Sequence, residues 1–230
     1  FDVASALKDI EFINRLYSSD NDLKFRLYQT DKLAKQNISE IKIYSTHQKL
    51  HLSDMMPVLE SFGFNIIHEH TYNISPKSGV NVWVYYFTLN LSKTKEDLTQ
   101  DIVVNFEDTI NKIYQSKTKA GFLNRMVVAA NLNSKQISLL RAYSKYLYQA
   151  KFRYSQKYIS DTLVKYRDFT KLIIELFEEK FNPAKNVKRE NNINKISVKI
   201  DKILEKVTDS GDDVVLNRFL NIINSTTRTN

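Results

Sequence analysis

Alternation of apolar and polar residues at a two-residue period is confined to the part of the chain before Gly121, and no strand pattern returns after it. A period of two buries one face of a strand, and steps of three and four bury one stripe of a helix. The sequence therefore dictates a sheet-containing part followed by an all-helical part, an α+β chain in two pieces. We place the boundary at residues 1–120 and 121–230.

The first part opens with Val3, Leu7, Ile10, Ile13 and Tyr17 at helical steps, with Asp2 as its N-cap. Leu23, Phe25 and Leu27 then alternate with Lys24, Arg26 and Tyr28, and Ile41 and Ile43 with Lys42 and Tyr44, as half-buried strands. Ser53 and Asp54 are expected to cap a short helix bearing Met55, Met56, Leu59 and Phe62, with Pro57 in its first turn and Gly63 stopping it. The next strand sets Ile66, His68, His70, Tyr72 and Ile74 on one face. The strand from Val82 has Trp83, Tyr85, Phe87 and Leu89 on one face and Val84 and Tyr86 on the other. Pro76-Lys77-Ser78-Gly79 between them is turn chemistry, so the two form a hairpin. A helix with Ile102, Phe106, Ile110 and Ile113 closes the series. An antiparallel-rich sheet with two helices on one face is the economical way to bury those stripes.

In the second part, helices are marked by Leu140, Tyr143 and Leu147, by Ile159 and Leu163, and by Phe169, Leu172, Ile173 and Leu176. Ile193, Ile196, Ile200, Ile203 and Val207 mark another, and Ser210 to Asp213 cap a last one with Leu216, Phe219 and Ile223. Residues 185–194 read as the mobile linker. We read the chain, which starts at Phe1 and stops just after a helical pattern, as a piece of something longer.

The charge divides with the pattern. Residues 1–120 carry 14 basic and 15 acidic side chains, a net of −1, whereas the remainder carries 20 and 11, a net of +9. Residues 135–171 hold nine basic side chains against Asp161 and Asp168, interleaved with six tyrosines. Cations for phosphates and rings for bases are what an RNA-binding surface needs, and Arg141, Lys145 and Lys157 are its candidates. An acidic surface elsewhere in the same protein would satisfy the charge equally well.

Several chemistries are excluded. With no cysteine there is no disulfide scaffold, thiolate metal site or cysteine nucleophile. The longest apolar run is far shorter than the roughly 18 residues of a spanning helix, so no membrane partner is expected. The four glycines lie too far apart for a phosphate loop or a dinucleotide crevice, so no cofactor site is expected within this chain. His68 and His70 share a strand face but lack a third ligand, and Asp54 and Glu60 fall on different helix faces.

Ile41-Lys42-Ile43-Tyr44 and the run from Leu52 to Glu60 resemble segments of the large bacterial NAD-specific glutamate dehydrogenases. So do the run from Leu139 to Leu147, Ser155 to Ile159, Glu175-Leu176-Phe177 with Phe181-Asn182-Pro183, and the closing runs from Arg218 to Ile223 and from Thr227 to Asn230. Asn131 departs from a glycine expected there, and Ser134 from a tryptophan. The resemblance implies an ACT-like, ferredoxin-like module with its first strand at residues 23–28, then a helical module, both ahead of the catalytic core of the same chain. It further implies a non-catalytic regulatory role, NAD in the parent enzyme, a cytoplasmic homo-oligomer and a small amino-acid effector. The loop from Thr46 to Asp54, with Thr46, His47, Ser53 and Asp54, is the expected effector site, because it precedes a helix N-terminus that favours carboxylates.

Overall fold

The computed structural model describes residues 3–17, 22–30, 33, 38–46, 49–77, 80–91, 98–183 and 189–229. They form two compact units, Phe1–Asn124 and Arg125–Asn230.

The first unit is built on a four-stranded sheet of β1 (Leu23–Tyr28), β2 (Ile38–Thr46), β3 (Phe64–Ile74) and β4 (Val82–Leu91). The spatial order is β1-β2-β4-β3 and every pairing is antiparallel. Helix α2 (Leu52–Ser61) connects β2 to β3, and α3 (Gln100–Tyr114) follows β4. In a β-α-β-β-α-β sandwich the strand flanking the first one comes last. Here that position is taken by β1, which arrives before the others.

Register sorts the side chains into two faces. Phe25, Ile41, Ile43, Tyr85, Phe87 and Leu89 share one face and are buried. Met55, Leu59, Phe62, Ile102, Phe106 and Ile110 supply the buried residues of the helix layer. Phe106 meets Phe62 and Phe64 edge-on, at 4.7 and 5.6 Å between ring centroids, and Tyr114 lies 5.1 Å from Phe25. Edge-on aromatic packing of this kind adds to what area burial alone supplies.

Four expectations are corrected in this unit. Helix α1 (Val3–Tyr17) packs on the opposite face of the sheet, where Ile13 and Leu16 join Tyr44, Val82 and Val84. Its buried side is therefore Asp9, Ile13 and Leu16, while Leu7 and Ile10 of the expected stripe are 59% and 55% exposed. Strand β3 shifts register between Ile66 and His68, so Ile66 lies across from Leu89 but His68 lies across from Thr88. The intervening Ile67 is the extra residue of a bulge, and it puts Ile66 and His68 on opposite faces. Finally, His51, not Ser53 or Asp54, is the N-cap of α2, with no side-chain bond to the helix, and Pro57 sits in the second turn.

The second unit contains α4 (Arg125–Ala130), α5 (Ser134–Gln149), α6 (Gln156–Lys165), α7 (Arg167–Phe181), α8 (Arg189–Leu204) and α9 (Ser210–Ser225). Helix α7 carries the buried Phe169, Ile173, Ile174 and Leu176 and packs on α4, α6, α8 and α9. Lys180 at its end donates to the carbonyls of Ile223 and Asn224, at 2.8 and 3.0 Å. Those carbonyls belong to the unsatisfied C-terminal turn of α9, where a cation is favoured. Of the expected linker, residues 189–194 are the first turns of α8, and residues 185–188 lie outside the described residues. The N-cap of α9 is Asp209, one residue earlier than the expected run.

Asn131, the departure from an expected glycine, has φ 53°. That left-handed conformation suits glycine, and asparagine is among the few other residues that adopt it readily. Asn133 follows as N-cap of α5, in a reciprocal capping box with Gln136. Replacing Asn131 with alanine, which adopts the left-handed region poorly, is expected to destabilise the helical unit by about 1 to 2 kcal/mol, read as a lowered urea midpoint at unchanged slope. An unchanged midpoint would mean that the turn relaxes out of that conformation.

Candidate functional site

The loop between β2 and α2 ends against the sheet. Thr46 is buried, and its backbone N–H donates to the Asp22 carbonyl at 3.0 Å. His47 lies outside the described residues. Beyond it, the Leu50 N–H donates to the Tyr85 hydroxyl at 2.7 Å, and that hydroxyl lies 3.2 Å from the Leu50 carbonyl. Lys49 sits 5.1 Å over the Trp83 ring. Ser53 and Asp54 are both exposed in the first turn of α2, with Asp54 the acidic residue there. Asp54 places its own negative charge where the helix dipole favours one, so an incoming carboxylate would compete with it.

The expected basic residues are not equivalent. Arg141 is half-buried, and burial lowers its pKa. Lys145 is exposed. Lys157 pairs with Asp161 at 2.7 Å, and the same carboxylate takes Arg125 at 2.8 Å. Two of the unit's cations thus converge on one carboxylate.

Two charged clusters escaped sequence reasoning. In the first, Asp9 of α1 accepts from Lys42 at 2.6 and 2.9 Å and from the Tyr44 hydroxyl at 2.7 Å, with Arg26 at 3.8 Å. Ser5 lies 3.0 Å from the Lys42 ammonium, whose side chain is 3% exposed. Burial, then the bond to Asp9, pushes the Tyr44 hydroxyl far above its ordinary pKa. Lysine on a strand reads as a solvent-facing residue. The available signal was that Asp9, Ile13 and Leu16 lie at helical steps on one side of α1.

The second cluster surrounds Asp212 in the helical unit. Its carboxylate takes Lys165 at 2.5 Å, the Thr162 hydroxyl at 3.0 Å and the Tyr158 hydroxyl at 3.1 Å. Burial would raise the pKa of Asp212, but these three donors outweigh it and hold the carboxyl below its ordinary value. The bond to Asp212 in turn raises Lys165. A depressed carboxyl stabilises the fold above its unfolded pKa, near 3.8, and that contribution is lost as pH falls through the folded value. Asp212→Asn is therefore expected to flatten the acid limb of the stability–pH curve below about pH 4. Thermal melts at stepped pH would show it, and an unchanged limb would place Asp212 in water.

No group of three or more histidine, aspartate or glutamate side chains that could hold a metal ion occurs among the described residues. No helix among them is long and apolar enough to cross a membrane. His68 and His70 are exposed, with the His70 ring 6.3 Å from that of Tyr86.

Comparison with known proteins adds identity to this geometry. Residues 22–102 match the glutamate dehydrogenase ACT3 domain, and residues 121–183 match glutamate dehydrogenase helical motif 3. The NAD-specific glutamate dehydrogenase of Halomonas elongata is 29% identical over 230 residues, all of this chain. Those of Pseudomonas aeruginosa and Mycobacterium tuberculosis are 27% and 28% identical over 98% and 99% of it. The chain spans only 14% of the length of each of these relatives. Matched in order by two consecutive glutamate dehydrogenase modules and nearly end to end by three such enzymes, the chain is similar to the stretch of NAD-specific glutamate dehydrogenases that carries the third ACT domain and the third helical motif.

Proposed function

We propose that this chain is a regulatory and scaffolding segment of an NAD-specific glutamate dehydrogenase and holds no catalytic residue of the reaction. The observation that supports the reading is the consecutive match of the sheet module to an ACT domain and of the helical module to a helical motif of glutamate dehydrogenase. In the parent, glutamate undergoes oxidative deamination to 2-oxoglutarate and ammonia, with NAD taking the hydride. The segment packs against the catalytic core of the same chain within a cytoplasmic homo-oligomer. Purified parent enzyme should produce NADH with glutamate, and the 230-residue chain should produce none. Glutamate-dependent NADH production by the chain alone would overturn the reading.

The regulatory part rests on the loop from Thr46 to Asp54, which we assign to a small amino-acid effector. Its carboxylate would meet the N-terminal amides of α2, where Ser53 and Asp54 are exposed. Calorimetric titration of the chain with a panel of amino acids is expected to give saturable heat for at least one. Asp54→Asn removes the competing charge and should tighten that binding about two- to fivefold, the worth of one charge at a helix end. Silence across the panel at millimolar concentration would leave scaffolding as the whole role.

A further inference from the structure

The last turn of α5 and one side of α9 enclose an open groove of about 740 Å³ within the helical unit. Leu147 and Ile222 contribute to its apolar lining, and Tyr146 and Phe152 are among its aromatic residues. Lys151, Arg153 and Arg218 line it as well. None of these three cations has a carboxylate partner among the described residues, whereas Arg125, Lys157 and Lys165 of the same unit are all paired.

The two guanidinium groups are positioned by rings. Arg218 lies 5.7 Å over Phe152, and Arg153 lies 4.9 Å over Tyr154 while donating to its hydroxyl at 2.9 Å. Stacked in this way, each keeps N–H donors for a second acceptor, and a planar fork suits phosphate oxygens. Tyr146 is 57% exposed, leaving ring surface open to a stacking partner.

Lys151 adds an independent sign. It closes α5 with φ 57°, donating its N–H to the Tyr148 carbonyl at 3.1 Å, while the Phe152 N–H reaches the Leu147 carbonyl at 3.0 Å. This pair of bonds is a helix-ending motif in which glycine normally takes the left-handed position. A lysine held there strains the backbone, and strained residues of this kind concentrate at binding sites.

We infer that this groove binds a nucleoside phosphate, with Lys151, Arg153 and Arg218 on the phosphates and Tyr146 stacked on the base. The volume falls in the range of small-molecule pockets, about 300 to 1,000 Å³. A bare anion would leave the apolar lining and the exposed ring unused, and an acidic peptide would leave the ring without a planar partner. The inference goes beyond the family resemblance and does not depend on it.

The test is titration of the 230-residue chain with ADP, and separately with pyrophosphate, adenosine and poly-glutamate. ADP should bind saturably and about tenfold or more tighter than either of its halves, because phosphate contacts and stacking combine in one molecule. The Arg153→Ala/Arg218→Ala double variant should weaken ADP by about tenfold or more. Tyr146→Ala should weaken ADP and leave pyrophosphate unchanged. Lys151→Gly should raise the unfolding midpoint while weakening ADP, so misfolding could not account for its loss. Four results would overturn the inference: no ADP binding at millimolar concentration, binding that survives the double variant, pyrophosphate matching ADP, or poly-glutamate displacing ADP.

Discussion

Asp9→Ala is expected to destabilise the first unit by about 3 to 5 kcal/mol, because removing one member of a buried ion pair strands the other. The Lys42 ammonium would lose both carboxylate oxygens, and the Tyr44 hydroxyl would lose its acceptor. The single tryptophan, Trp83, lies on β4, so its fluorescence reports this unit alone. The midpoint of its thermal transition should fall by about 10 to 20 °C for a unit of this size. Asp9→Leu combined with Lys42→Met should recover most of that loss, since apolar replacement of a buried pair is often neutral or better. Helix α1 also rests on the sheet through Ile13 and Leu16. A variant that melts near the parent temperature but is cleaved within α1 by protease would show the helix lifting off and Lys42 reaching water instead.

The second large effect is expected at Phe106. Its ring is fully buried and meets Phe62, at the end of α2, and Phe64, at the start of β3. Phe106→Ala removes most of the side chain from a site where three rings meet, and should cost about 3 to 5 kcal/mol in urea unfolding followed by Trp83. Phe106→Leu keeps most of the volume and loses the edge-on ring contacts, so about 1 to 2 kcal/mol is expected. Equal effects of the two variants would mean that the cluster relaxes to fill the space, and would remove the case for a specifically packed core.

Much of this architecture was legible because it follows from period. The alternation around Ile41, Ile43, Tyr85 and Phe87 fixes which face of the sheet is buried, and register confirms it strand by strand. Met55, Leu59, Ile102, Phe106 and Ile110 fall where helical spacing puts them. What the pattern could not carry was the second face. Tyr44, Lys42 and Arg26 look like solvent-facing residues of an antiparallel sheet until α1 covers them, and nothing local says which face a preceding helix will choose. The bulge at Ile67 was invisible for a similar reason: alternation assumes one residue for one residue, and an extra residue breaks the phase without altering composition.

The functional residues were less legible than the fold. Arg141, Lys145 and Lys157 were chosen by charge and spacing along the chain, but Lys157 has Asp161 one turn further along its own helix, and only the fold brings Arg125 of α4 to the same carboxylate. Asp161 reaches Lys157 and Arg125 together, while Lys151, Arg153 and Arg218 meet no carboxylate among the described residues. Arg218 lies on α9 and the other two in the turn after α5, far apart along the chain, so a window along the sequence could not have grouped them. Asn131 shows the converse case. A departure visible only through resemblance became intelligible once its positive φ was known.

The arrival of β1 ahead of the rest of the sheet bears on how this module can be handled in isolation. A truncation beginning at Ile38 would lose α1 as well as β1 but keep α2, α3 and three strands of the sheet. It would also leave the main-chain amides and carbonyls of β2 without the partners they now have from Leu23 to Tyr28. An unpaired row of that length, on a strand as apolar as Ile41-Lys42-Ile43-Tyr44, is a template for adding strands from other molecules. Fragments cut inside that hairpin should precipitate or form fibres, and soluble ones should keep both β1 and the α1 helix that covers Lys42 and Tyr44.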